Sequence, residues 1–118
     1  SKALEKLMRT VKVPIAVNQI DYSVLSHDEE TITFCRAHNI TVEAYSPLGG
    51  AHSHGSVFSE PTVLSIAKAH SVSAAQVAIR WIVQRGDILT VLSGNPAHQA
   101  NDADVFGFSL SEAEMVQL

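Results

Sequence analysis

The sequence predicts an α/β fold with parallel strands, and three observations carry that prediction. Strand-like apolar runs alternate with helical patterns along all 118 residues. The runs are nearly continuous in apolar character, as in parallel strands buried on both faces. Each run leads into polar or glycine residues, at Asn18-Gln19, Tyr45-Ser46 and Ser93-Gly94. Polar tips on apolar strands are where α/β proteins hold ligands.

In chain order, Leu4, Leu7 and Met8 recur at helical spacing within Ser1 to Thr10. Val13 to Ile20 reads as the first strand. Ser26 and Glu29 form a capping-box pattern, so a helix is expected from there to about His38, with Ile32, Cys35 and Phe34 inward and Asn39 as its stop. Thr41 to Tyr45 is the second strand, and a Gly/Ser/His-rich loop follows over Gly49 to Ser59. Pro61 opens the next helix, where its missing N–H costs nothing, with Leu64, Ala67 and His70 on one side. Ser73 and Gln76 cap another, with Val77, Ala78, Trp81 and Ile82 inward and Gly86 as its stop. Ile88 to Leu92 is the third strand. Pro96 begins a short helix ending near Asp104, and Ser111 with Glu114 caps a last one.

Three parallel strands leave two open edges, a poor stand-alone fold and a natural piece of a (β/α)8 barrel of about three βα units. No linker or internal repeat divides the chain, so residues 1–118 read as one partial barrel domain. The start is no signal peptide and has no initiator Met, so Ser1 is expected to lie in the interior of a longer protein. Formal charge is −4, which argues against nucleic acid as the main partner. No apolar run approaches a membrane span. Cys35 stands alone, so a reducing, cytoplasmic compartment and an inert buried thiol are expected.

In a barrel the active site lies at the C-terminal strand ends. Barrel phosphate sites combine loops after the last strands with a nearby helix N-terminus. Gly49-Gly50 and Ser93-Gly94-Asn95 supply two such loops, and the helix after Pro96 is expected to offer unpaired N–H groups. That set suits an anionic cofactor.

At these residues the chain resembles the C-terminal portion of the aldo-keto reductase family. Val17-Asn18-Gln19, Ala44-Tyr45-Ser46-Pro47-Leu48-Gly49, Ala75-Gln76-Val77-Ala78-Ile79-Arg80-Trp81 and Val105-Phe106-Gly107-Phe108 carry the resemblance in order, over nearly the whole chain. The resemblance implies a (β/α)8 barrel that reduces aldehydes or ketones with NADPH or NADH, of which this chain is the cofactor-binding part. By that likeness Gln19 bonds the nicotinamide carboxamide, and Tyr45 stacks on the nicotinamide ring. Ser46 and Leu48 line the pyrophosphate. Ser93 and His98 lie near the adenosine ribose or its 2′-phosphate, and Asn101 and Asp102 near adenine.

Two positions depart from the pattern. Leu92 stands where the family commonly has Lys, and His98 where it commonly has Arg. Two lost charge-assisted contacts to a 2′-phosphate are worth about 1.5–3 kcal/mol each. Either NADH is used, or binding is weakened, or another residue compensates. The family's catalytic Asp, Tyr, Lys and His have no counterparts here, so no catalytic residue is assigned, and the chain alone is expected to be inactive, marginally stable and prone to aggregate. The competing reading is a non-catalytic nucleotide-binding or protein-interaction subunit on the same scaffold. Asp21-Tyr22 either faces the substrate opening or carries the strand into a loop. His52 and His54 lack the partners that would complete a metal site.

Overall fold

The computed structural model describes residues 1–50 and 55–118. The order is α1 (Lys2–Met8), β1 (Val17–Asp21), α2 (Glu29–Ala37), β2 (Thr41–Tyr45), a 3-10 turn (Val57–Ser59), α3 (Pro61–His70), α4 (Ala74–Gln84), β3 (Ile88–Leu89), α5 (Pro96–Ala103) and α6 (Glu112–Gln117). The strands form one parallel sheet in the order β1-β2-β3, with Asp21 opposite Tyr45 and Glu43 opposite Ile88.

The expected alternation holds, and several local expectations are corrected. β1 starts four residues later than expected and ends one later, because the ladder begins where the Thr41 N–H reaches the Ala16 carbonyl. Apolar Val13 finds no partner strand and stays exposed. The Ser26–Glu29 pattern does not cap α2. Asp28 does, its carboxylate accepting from the Thr31 N–H at 3.0 Å and the Thr31 hydroxyl at 2.7 Å. Ser26 instead pairs with Ser23 in a tight turn. In α3 the inward residues are Val63, Ile66 and Ala67, while Leu64 is exposed. β3 is shorter than expected. The capping boxes at Ser73–Gln76 and Ser111–Glu114 both form, and Gly86 ends α4 at φ +84°.

The core lies between the sheet and the helices. Trp81, Ile82, Val77 and Ala78 of α4 meet Ile32 and Cys35 of α2 and Val42 and Ala44 of β2. Neighbouring strand residues point to opposite faces. Val42 and Ala44 are therefore buried, while Thr41 and Tyr45 beside them are exposed. The second face of the sheet carries Val17, Gln19, Asp21, Glu43, Tyr45, Ile88 and Thr90, and no element of the described residues covers it. A radius of gyration of 15.2 Å fits this wedge. A compact chain of this length is expected near about 13.5 Å.

A buried polar cluster ties the helical layer together. The Tyr22 hydroxyl donates to Asp87 Oδ2 at 3.0 Å, and Arg36 Nη2 donates to the same oxygen at 2.6 Å. The Arg85 guanidinium lies 4.6 Å over the Trp81 ring and pairs with Glu29. Asp87 keeps only 4% of its side chain exposed, so its charge depends on these partners.

Candidate functional site

The site begins where β2 stops. Tyr45 is its last residue and stands 41% exposed on the open sheet face. Ser46 then adopts φ +53°, a left-handed conformation costly for a residue with a Cβ and further disfavoured before Pro47. This kink throws the chain off the strand, and the Gly49 N–H closes the turn on the Ser46 carbonyl at 3.0 Å. Gly49 has φ +82° and pairs with Ser56 across the loop. A Cβ on it would sit 2.5 Å from the Gly55 carbonyl oxygen, so only glycine fits there.

Two adjoining clefts open beside this turn. One, of about 570 Å³, lies between Ser46–Gly49 and Thr90–Leu92. The other, of about 420 Å³, runs on past Ser93 to His98, Asn101 and Asp102, and is also lined by Phe58, by Ser73, the N-cap of α4, and by Ala75 of α4. They share Leu48, Val91 and Leu92, so the two read as one elongated trough from the tip of β2 to α5.

Of the eight residues expected to touch a cofactor, Ser46, Leu48, Ser93, His98, Asn101 and Asp102 line this trough. Tyr45 and Gln19 do not. They lie on the open sheet face beside its upper end, Gln19 one layer below Tyr45. Gln19 is not at a strand tip as expected, since β1 continues to Asp21. Its Nε2 donates to Glu43 Oε1 at 3.1 Å, which fixes the amide across the strands. The Ser73 hydroxyl donates to Asn101 Oδ1 at 2.7 Å, tying α5 to the start of α4. Ser93 Oγ accepts from the Asn95 N–H at 3.1 Å and lies 3.4 Å from His98 Nδ1.

The N-terminus of α5 departs from expectation. Pro96 has no N–H, the Asn95 side chain takes the Ala97 N–H at 2.9 Å, and the Asn95 carbonyl takes the Gln99 N–H at 3.1 Å. The helix start is therefore largely satisfied from within, with the His98 N–H left over, and is a poorer cradle for an anion than expected.

Tyr22 does not face a substrate opening. It is fully buried, and burial pushes its phenol well above the ordinary range, the bonded Asp87 adding to the effect. Asp21 does lie on the open face, opposite Tyr45, with Oδ1 buried and unpartnered among the described residues. Thr90, Val91, Phe58 and Ala75 are wall residues that the sequence reading missed. Register would have found Thr90, whose N–H bonds the Ala44 carbonyl at 3.0 Å and sets it beside Tyr45. Phe58, in an irregular segment, carried no signal.

The described walls of the trough hold one histidine and one carboxylate, and no Lys, Arg, Tyr or Cys. Among the described residues no cluster of His, Cys, Asp and Glu is able to hold a metal, and His52 and His54 lie outside them. No described helix is long and apolar enough to cross a membrane.

Comparison with known proteins gives a consistent result. The model of the "Aldo/keto reductase family" matches residues 1–118. Morphine 6-dehydrogenase of Pseudomonas putida is 39% identical over 124 residues, covering 98% of the chain and 42% of the relative. A (1S)-1,7-diacetoxy-luvungin A aldo-keto reductase of Citrus sinensis is 34% identical over 120 residues, covering 99% and 38%. Among solved structures, MGS-M4, an aldo-keto reductase from a Medee basin deep-sea metagenome library, superposes with a TM-score of 0.92 at 33% identity, over 98% of the chain and 42% of its own. A mutant of Gox0644 in complex with NADPH gives 0.89 at 37% identity, over 98% and 41%. The chain thus spans about 40% of the length of the proteins it matches.

Proposed function

The chain belongs to the aldo/keto reductase family, and from that premise we propose that it is the cofactor-holding part of a (β/α)8 barrel that reduces aldehydes or ketones with NADH or NADPH. One observation carries the reading: six of the eight residues expected at the cofactor line one continuous trough beside the kinked end of β2.

The residues fit such a group. Ser46, Leu48 and Gly49 line the cleft beside the kink, where a pyrophosphate would lie. Tyr45 offers an exposed aromatic face at the strand tip, which supplies contact area and selects one ring face. Gln19, held by Glu43, orients an amide toward a carboxamide. Ser93, His98, Asn101 and Asp102 form the adenosine end. The nicotinamide supplies the hydride when bound. The residues of this chain bind and orient, and the acid that protonates the carbonyl oxygen is assigned to the remainder of the barrel. On this reading the chain alone is inactive, and the protein works in the cytoplasm without nucleic acid or membrane partners.

Calorimetric titration of the intact protein with NADH and NADPH tests the proposal, together with Tyr45→Ala. Binding of at least one cofactor is expected, weakened about tenfold in the variant by loss of stacking. No binding of either, or an unchanged Tyr45→Ala, refutes it. The exposed Leu92 and His98 favour a second reading, a binding protein on a barrel scaffold. Carbonyl-dependent oxidation of the bound cofactor by the intact protein separates the two.

A further inference from the structure

We infer that the adenosine end of the trough takes a ribose bearing a free 2′-hydroxyl, so that the cofactor is NADH rather than NADPH; this rests on the reading of the trough as a nicotinamide-dinucleotide site. The argument is one of charge and of hydrogen-bond capacity. A 2′-phosphate brings roughly two negative charges and must be met by cations or uncommitted donors. Among the described residues this end holds no Lys or Arg, and its uncommitted donors, such as the Asn101 side-chain amide and the His98 backbone N–H, are few and uncharged.

Among the described residues, no Lys or Arg lines the trough or the smaller hollow behind it. The chain has eight such residues, and none is spare for the task. Lys2, Lys6, Arg9 and Lys12 all precede β1, and Lys68 is an exposed residue of α3. The other three are engaged away from the trough. Arg36 bonds Asp87, Arg85 pairs with Glu29, and Arg80 bonds the Val105 carbonyl and Ser109. Residues 51–54 contribute no Lys or Arg by sequence.

The backbone compensates little. The start of α5 spends its Ala97 and Gln99 N–H groups on Asn95, Pro96 has none, and the His98 N–H is left; the start of α4, which also borders the trough, spends its Gln76 and Val77 N–H groups on Ser73. Leu92, a shared wall of both clefts, is 97% exposed and offers an apolar side chain where an anion would need a donor. What the end does offer is acceptors and neutral groups. Asp102 lines both the trough and the hollow, with Ser93 and the Ser73-bonded Asn101 nearby. A carboxylate accepts bonds from ribose hydroxyls and repels a phosphate in the same position. One wall group thus works in favour of NADH and against NADPH.

The test is calorimetry on the intact protein with four probes: NADH, NADPH, 5′-AMP and 2′,5′-ADP. The two short probes report on the adenosine end alone. NADH is expected to bind at least about tenfold more tightly than NADPH, and 5′-AMP than 2′,5′-ADP by a similar factor. The double variant Leu92→Lys with His98→Arg alters only exposed side chains and is expected to reverse both orders. Equal or tighter binding of NADPH and 2′,5′-ADP by the unaltered protein overturns the inference and leaves the dinucleotide site standing. Binding of none of the four overturns both. The unaltered protein decides the matter even where the double variant does not fold.

Discussion

Gly49→Ala probes the kinked turn that opens the trough, and its cost can be worked from two separable features. The first is backbone conformation. At φ +82° an alanine pays about 1–2 kcal/mol that glycine does not. The second is space. The new Cβ would lie 2.5 Å from the Gly55 carbonyl oxygen, a backbone atom that cannot swing aside, and overpacking of this kind costs about 1–3 kcal/mol more. Gly86→Ala isolates the first feature, since Gly86 has φ +84° with nothing within 4 Å of an added Cβ. Gly50→Ala has neither feature and should stay within about 0.5 kcal/mol of the parent. The assay is urea unfolding followed by the fluorescence of Trp81, the only tryptophan of the chain and a core residue. The expected order of stability is Gly50→Ala, then Gly86→Ala lower by about 1–2 kcal/mol, then Gly49→Ala lower by about 2–5 kcal/mol. A Gly49→Ala variant no less stable than Gly86→Ala would falsify the close approach of Gly49 to Gly55, and with it the closed shape of the turn.

Further outcomes follow from the buried cluster and the caps. Asp87→Ala should destabilise by about 2–4 kcal/mol, because it strands the Tyr22 hydroxyl and removes the partner of Arg36, whereas Tyr22→Phe should cost only about 1 kcal/mol; chemical denaturation of the two variants and their double mutant measures the coupling. Alkali should unfold the chain. The phenol of Tyr22 is raised by burial, so its contribution is intact below the ordinary tyrosine value of about 10 and is lost as pH climbs above it. Tyr22→Phe should flatten that alkaline slope, and an unchanged slope would locate the titrating group elsewhere. Acid works with the opposite sign. Asp28 is held below the ordinary carboxylate range by the Thr31 hydroxyl and N–H, and Glu114 by the Ser111 N–H and hydroxyl. Their contribution is present at neutral pH and disappears as pH falls through those lowered values, so Asp28→Asn with Glu114→Gln should reduce the loss of stability between about pH 5 and 2.

Much of this molecule was legible because its signals are local. Capping boxes at Ser73 and Ser111, the proline opening α3 and the glycine ending α4 each act within a few residues, and all appear where the sequence placed them. β2 matches to the residue. What failed depended on distant partners or on competition. The start of β1 is set by the Ala16–Thr41 bond and not by the apolar run beginning at Val13. Asp28 outcompetes Ser26 because it sits next to the helix and its carboxylate serves two groups of Thr31 at once. α3 holds two apolar stripes in sequence, and only packing decides for Val63 over Leu64. The partner of Tyr22 is 65 residues away, which no periodicity reports. Most of the trough residues came from ordered motifs, while Thr90 needed the register of β2 and β3 to be known.

The alternation along the strands divides labour by parity. In β1 and β2 the even-numbered residues, such as Val42 and Ala44, build the helix-packed interior, and the odd-numbered Gln19, Asp21, Glu43 and Tyr45 look the other way. Folding and ligand handling are therefore written on interleaved letters of the same short words. Substitutions at the odd letters can retune the site and leave the core untouched. A single-residue insertion or deletion inside either strand does the reverse, exchanging the two sets at once. The strands can thus diversify by replacement far more freely than by change of length.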